Sequence, residues 1–322
     1  MFYVPTNEEI EEDLKDINFK IATRKHLDSN PFSYLETIDF KGIEEEYVLK
    51  SVHPILKSEI IIHNLVNNDP LTAAHVFSSK NENENGKHYL LMERIQFEPL
   101  YLRSVRGSVH LYHTIAEKLA NFHLNNNNVT KLKNMGIKEY GMKKYTEIIA
   151  NLGARVKKLS VSINHEYLLK EELVEKFSKY IGSVNEMLDL VHNTKLTLVH
   201  GDCDTGNLII NTKDNDIYAI DYGLAHIDVP VIDIAHLLSA TEMSISIRRD
   251  IFETYFDIAG NLFPSSMSLQ DVRNAGKVLH MLYFLDWYLL TTEMNIVAKN
   301  YFLEQIHNRV SLLTDLLSRP NV

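Results

Sequence analysis

Leu198-Val199-His200-Gly201-Asp202-Cys203-Asp204-Thr205-Gly206-Asn207-Leu208-Ile209-Ile210, followed by Ile217-Tyr218-Ala219-Ile220-Asp221-Tyr222-Gly223, is the most informative stretch of this 322-residue chain. Leu196–His200, Leu208–Asn211 and Ile217–Asp221 are short runs rich in β-branched residues, bounded by turn formers, and read as strands. The polar residues between them have an ordered spacing. His200 precedes Asp202 by two residues, Asn207 follows Asp202 by five, and the third run ends in Asp221 just before Tyr222-Gly223.

That set of groups is what phosphoryl transfer from a nucleotide to a hydroxyl needs. One carboxylate must orient and deprotonate the hydroxyl, while a second carboxylate and an amide oxygen hold metal ions that neutralise the phosphates. Protein kinases place their catalytic Asp and Asn at the same five-residue step. The spacing predicts Asp202 as base, Asn207 as a metal ligand and Asp221 as the main metal ligand. His200 reads as a structural hydrogen-bonder, and the lone Cys203 as packing.

His-Gly-Asp-x-x-x-x-Asn with a later Ile-Asp-Tyr resembles the aminoglycoside phosphotransferase and choline-kinase-like family. Protein kinases instead carry Arg between the His and the Asp, and an Ala-Pro-Glu that is absent here. Asp228-Val229-Pro230-Val231-Ile232-Asp233-Ile234-Ala235 resembles the family's Asp-Pro-x-x-Asp-Leu-Ala run with one extra residue before the Pro. The resemblance implies that Asp233 caps a helix and braces the catalytic loop. It also implies an α+β, two-lobed, protein-kinase-like fold. Residues 1–96 would be a β-rich nucleotide-binding lobe ending in the hinge, and residues 97–322 a helical lobe with the catalytic loop and the acceptor pocket.

The amino-terminal hundred residues fit that lobe. Residues 7–16 favour a helix, and Phe32–Phe40 and Glu46–Val52 read as strands around the Lys41-Gly42 turn. Ile55–Val66 has helical spacing. Ala73–Ser78 and His88–Ile95 read as a hairpin around a polar loop, Ser79–Lys87. Lys50 ends its strand where kinase-like enzymes place a phosphate-binding lysine, and Glu59 on the next helix is its candidate partner. Leu90-Leu91-Met92-Glu93-Arg94-Ile95 resembles the family's hinge, which implies that backbone groups of Glu93 and Ile95 bond the adenine edge. The glycine-rich phosphate loop is missing, since no glycine precedes Gly42. The candidate in its place is Asp28–Tyr34, where Ser29, Asn30 and Ser33 would donate to phosphate oxygens.

Beyond residue 96 the expected helices are Val109–Leu124, His165–His192, Ser268–Leu290 and Ile296–Leu317, from three- and four-residue apolar spacing. His123 ends the first of these and reads as structural. In the family, carboxy-terminal helices and the segment near 131–194 wall the acceptor pocket. Acidic residues there, Asp286 and Glu293, together with Asp204 in the catalytic loop, would suit a cationic acceptor.

Composition narrows the classes. The chain has 33 basic and 43 acidic residues, a net charge of −10, which argues against a nucleic-acid binder. No apolar run approaches the ~18 residues of a membrane span, and the acidic opening is unlike a signal peptide. One cysteine allows no internal disulfide. The motif and the resemblance together imply a cytoplasmic transferase that uses ATP and magnesium to phosphorylate a small-molecule hydroxyl; in the family that acceptor is an aminoglycoside-like antibiotic (which would make it a resistance enzyme), a choline-like amine or a sugar-like metabolite. The alternative is a catalytically inactive nucleotide-binding or regulatory homologue. Intact Asp202, Asn207, Asp221 and Lys50 favour the first, and the glycine-free loop favours the second.

Overall fold

The structure, a computed structural model, describes residues 3–17, 19–72, 76–82, 87–99, 109–162, 181–212, 214, 216–239, 241 and 243–294, with short helical pieces at 305–306, 308–309 and 311–312. Its internal contacts divide the chain into two compact units. The first comprises Met1–Phe122, Thr130–Ile137 and His200–His226, and the second His123–Val129, Lys138–Val199 and Ile227–Val322.

The first unit is built on an antiparallel sheet of β1 (Ile21–Ser29), β2 (Ser33–Phe40), β3 (Glu46–Val52), β4 (Val76–Glu82) and β5 (Lys87–Glu93), in the order β1-β2-β3-β5-β4. Period-two alternation gives it two apolar faces. Ile38, Phe40, Tyr47, Leu49, Tyr89 and Leu91 form one cluster with Ile10 and Leu14 from and beside helix α1 (Asn7–Asp13). Leu90 and Met92 point the other way and pack with Ile60 of α2 (Ser58–Val66). Gly42 turns β2 into β3 with φ 77°, a conformation glycine adopts at no steric cost. The expected polar loop at 79–87 is shorter than the sequence suggests. β4 continues to Glu82 because Lys80 and Asn81 pair with Tyr89 and His88, and His88 Nδ1 lies 3.0 Å from Asn81 Oδ1. Residues 73–75 and 83–86 lie outside the described residues.

A smaller antiparallel sheet in the same unit joins β6 (Phe97–Pro99), β8 (Leu208–Asn211) and β9 (Ile217–Ala219) in the order β6-β8-β9. Helix α3 (Val109–Asn125) begins in this unit and buries Tyr112, Ile115, Ala116 and Leu119. The helix α4 (Val129–Asn134) follows it.

The second unit is mainly helical: α5 (Gly141–Ser162), α6 (Ile181–Val191), α7 (Val231–Ser239), α8 (Ile245–Ala259) and α9 (Leu269–Glu293), with β7 (Thr197–Val199) paired to β10 (His226–Asp228). α5 and α8 are additions to the helices expected from spacing. Their buried positions, Tyr145, Ile148, Ile149 and Leu152 in one and Ile251, Phe252, Tyr255 and Ala259 in the other, are diluted by charged residues on the outer faces. Of the expected helix 165–192, residues 165–180 lie outside the described residues, as does most of 296–317. α7 and α9 touch at Gly276, where a Cβ would stand 2.6 Å from Val231 Cγ2.

Buried polar groups lock these helices. His123 Nδ1 lies 2.8 Å from the Tyr255 hydroxyl, and its Nε2 lies 3.1 Å from Asp233 Oδ2. Asp233 is thus in the first turn of α7, bonded to a side chain, and is not the cap residue expected from the sequence. His236 and His280 stack with centroids 4.6 Å apart, and His280 Nε2 is buried without a partner. Burial, His236 and Arg309 push the His280 pKa well below its ordinary value, so it is neutral in the folded chain. Below about pH 6.5 the unfolded chain takes up a proton that the folded chain refuses. Stability should therefore fall with decreasing pH, by up to ~1.4 kcal/mol per pH unit from this group. Urea unfolding at pH 7.5, 6.5 and 5.5 should show a shallower loss in His280→Leu than in wild type; equal slopes would remove His280 as the cause.

Candidate active site

Three segments of the first unit meet at Lys50. It sits near the end of β3, on the face opposite Tyr47 and Leu49, between Leu35 of β2 and Leu90 of β5 in register. Its Nζ lies 2.5 Å from Glu59 Oε1 on α2 and 2.8 Å from Asp221 Oδ1 after β9. The Lys50 side chain is 7% exposed and that of Glu59 0%. Burial penalises the ammonium, but Asp221 and Glu59 outweigh it and raise the Lys50 pKa above its ordinary value. Lys50 is a cation at every working pH. Asp221 is 46% exposed on its side-chain atoms. The protein around it disfavours its charge, and the Lys50 ammonium more than offsets this, so the carboxyl titrates below its ordinary range.

Asp221 has φ 62° and ψ 68°, the only non-glycine residue with positive φ among those described. That left-handed conformation is strained for a residue with a Cβ. The neighbouring contacts hold it there. Tyr222 is fully buried, its ring 5.2 Å from that of His63, 4.7 Å from that of His200 and 6.2 Å from that of Phe122, and its hydroxyl is 3.1 Å from Thr72 Oγ1. His63 is four residues after Glu59 on α2, and its Nε2 lies 3.6 Å from Glu59 Oε1. The sequence reading missed His63 and Tyr222; a ring one helical turn beyond Glu59 and another beside Asp221 was the available signal.

The loop between β7 and β8 is built by its own side chains. His200 Nε2 donates to Ile220 O at 2.9 Å, and its Nδ1 accepts from Asp202 N at 3.3 Å, so His200 ties the loop to the segment bearing Asp221. Asp204 Oδ1 accepts from Gly206 N at 2.7 Å and Asn207 N at 3.0 Å. Asp204, expected to face an acceptor, therefore spends one oxygen on shaping the turn. Asn207 Nδ2 donates to Asp202 O at 2.9 Å and to Asp202 Oδ2 at 3.0 Å, so that only its Oδ1 could meet a cation. Cys203 is buried.

A cavity of about 970 Å³ lies within this unit. Lys50, Glu59, Asn207 and Asp221 line its polar part. Leu35 and Val48 from the large sheet, and Ile209 and Ala219 from the small one, line an apolar slot, with Met92, Glu93 and Ile95 beside it. Asn207 and Asp221 offer hard oxygen donors, the ligand type that magnesium takes.

The turn between β1 and β2 reaches the same cavity through Asp28, Asn30 and Ser33, whereas exposed Ser29 is not on its lining. Asn30 replaces the missing glycines in an unforeseen way. Its Oδ1 accepts from Phe32 N at 2.8 Å and Ser33 N at 2.9 Å, and its own N donates to Ser33 O at 2.9 Å. Two backbone donors that could meet a phosphate are thus committed, and Asn30 Nδ2 and the Ser33 hydroxyl remain. The Asp28 carboxylate adds a negative charge that the sequence reading did not weigh.

Asp286 and Glu293 belong to the second unit, where they share a cavity of about 480 Å³ with Lys144, Glu147 and Arg155. Neither is an open anionic contact. Arg155 bonds Asp286 through Nη1 and Glu293 through Nε at 3.0 Å and Nη2 at 3.2 Å; Tyr140 donates to Asp286, and Lys144 Nζ is 3.4 Å away.

A family model described as the phosphotransferase enzyme family matches residues 30–263. Solved structures resemble the chain over most of its length. An ethanolamine kinase from Plasmodium vivax superposes with a TM-score of 0.64 at 12% identity, covering 91% of this chain and 82% of that one. Choline kinase LicA from Streptococcus pneumoniae gives 0.60 at 15%, covering 96% and 98%. The GDP and kanamycin complex of APH(2")-IIia gives 0.61 at 16%, covering 94% and 97%. No curated protein sequence matches. At these identities the likeness is one of fold: α+β and kinase-like, with a sheet-rich amino-terminal part and a helical carboxy-terminal part.

Gly201 has φ 79°, and a Cβ on it would stand 2.3 Å from Leu224 O. Gly201→Ala should therefore destabilise the chain by more than the ~1–2 kcal/mol of left-handed strain alone, because the loop must also move off Leu224. Urea unfolding checks this; a loss under ~0.5 kcal/mol would mean that the close approach is absent in solution.

Proposed function

The chain belongs to the phosphotransferase enzyme family, whose model spans residues 30–263, and from that premise we propose that it transfers the γ-phosphoryl group of ATP, with magnesium, to a hydroxyl of a small molecule. The observation that carries the reading is the joint placement of Lys50, Glu59, Asn207 and Asp221 on one cavity that also has an apolar slot. In this reading the adenine lies between Leu35 and Val48 on one side and Ile209 and Ala219 on the other, bonded by backbone groups of Glu93 and Ile95. Lys50 takes phosphate oxygens and Glu59 fixes its ammonium. Asn30 and Ser33 donate to the phosphates from the β1–β2 turn.

Asp202 orients the acceptor hydroxyl and receives its proton as the oxygen attacks, and Asn207 holds that carboxylate through Nδ2. Asn207 Oδ1 and Asp221 would hold the magnesium, whose charge offsets that on the phosphate oxygens during transfer. Ethanolamine and choline kinases and a kanamycin complex among the similar structures share an acceptor chemistry, a hydroxyl on an amine-bearing molecule. An amino alcohol or aminoglycoside is accordingly the acceptor class we favour. A kinase of this kind works where ATP is supplied, in the cytoplasm.

A second reading, a nucleotide-binding homologue without activity, draws on the Asp28 carboxylate at the phosphate end and on the two backbone amides consumed by Asn30. The two separate in a nucleotide-consumption screen with ATP and GTP over amino alcohols, aminoglycosides and sugars. Acceptor-dependent turnover supports the transferase, and nucleotide binding without turnover supports the homologue. Asp202→Ala should lower turnover by ~10²–10⁴-fold while nucleotide still binds. Turnover within about twofold of wild type would take Asp202 out of the mechanism. Asp221→Asn should remove most of the magnesium enhancement of nucleotide binding. An unchanged enhancement in a magnesium titration would refute its assignment as a ligand.

A further inference from the structure

A single irregularity of strand register brings a carboxylate into the cavity of the first unit. β1 pairs with β2 through Lys25↔Thr37 and His26↔Glu36, then through Asp28↔Leu35 and Ser29↔Tyr34, which leaves Leu27 as a bulged residue. Without the bulge, alternation would put Leu27 opposite Leu35 and turn Asp28 to the other face of the sheet. With it, Asp28 takes that place, and Leu35 is in turn opposite Lys50 on β3. Residues directly opposite one another share a face, and Asp28, Leu35 and Lys50 all line the cavity. The Cα atoms of Asp28 and Lys50 are two strand spacings, or about 10 Å, apart. Asp28 Oδ1 accepts from Ser29 N at 2.8 Å, which holds the carboxylate at the turn. Lys50 already bonds Glu59 and Asp221, so Asp28 brings a third carboxylate to the lining around one ammonium.

Resting on the transferase reading above, we propose that Asp28 is a specificity-determining residue, whose carboxylate makes the cavity favour a magnesium-bound nucleoside triphosphate over the free one. A bare triphosphate approaching Lys50 is repelled by Asp28, whereas a bound magnesium ion takes away roughly half of the ligand's charge and with it much of the repulsion. The effect acts through space on the total charge of the ligand, and Asp28 touches no reacting atom. Free nucleotide seated at Lys50 would fill the cavity without the cation that transfer requires. Its exclusion keeps the cavity available to the productive form. A purely structural Asp28 would need only an oxygen for Ser29 N and no charge, and an asparagine supplies that oxygen equally well.

The test is calorimetric binding of the β,γ-imido analogues of ATP and GTP to the full chain, in EDTA and in excess magnesium. Asp28→Asn keeps the oxygen that Ser29 N bonds and removes only the charge. It should bind the metal-free analogue at least about threefold more tightly than wild type does, with a clearly smaller gain for the magnesium chelate. The gain should shrink in about 0.5 M KCl, where charges this far apart are screened. Equal changes for the two forms, no gain for the metal-free one, or a gain indifferent to salt would each overturn the proposal and leave the transferase reading standing. Failure of wild type to bind either analogue in magnesium would overturn both.

Discussion

The first unit is organised around one buried ammonium. Lys50 is nearly enclosed, and an enclosed cation is tolerated only when opposite charge meets it at close range. Two carboxylates do so, one from α2 and one 171 residues along the chain after β9. These bonds fix three separate segments against one another: the centre of the large sheet, the helix on its face and the exit of the small sheet. Strain at Asp221 is sustained by the same contacts, with Tyr222 buried among His63, His200 and Phe122. Removing either carboxylate alone would leave a buried charge short of its partner, so the group behaves as one unit.

What the sequence disclosed follows the range of the interactions. Strands β7 to β9 and the polar residues between them lie within 30 residues, and their spacing is a local property. The Lys50 strand and the Glu59 helix were legible for the same reason, through period two in one and helical spacing in the other. Side-chain substitution for backbone was not legible. Nothing in Asp28-Ser29-Asn30-Pro31 announces that the Asn30 amide oxygen takes two N–H groups, because that depends on the path of the turn. The tail of β4 looked like a loop because its residues are polar, yet its place is set by ladder partners in β5.

Long-range pairing was equally hidden. Asp286 and Glu293 read as open acids because they share a helix with aromatic residues, and their neutralising Arg155 lies more than 130 positions upstream. With Lys144 and Arg155 against Glu147, Asp286 and Glu293, that cavity carries a net charge near −1, far weaker than three acids suggest. A cation entering it would have to compete with a guanidinium already bonded to both carboxylates.

The side-chain brace across the β1–β2 turn also bears on kinetics. A glycine-rich loop gains donors by closing on its ligand, then must reopen to let product leave, and such reopening often limits turnover. The turn at Asn30 is stapled by three hydrogen bonds before anything binds, so little ordering entropy is lost on association. Under the proposed function, a turn that is already braced has less closing motion to reverse before product leaves. A phosphate site built this way would exchange tight retention of nucleotide for quick departure of the spent one.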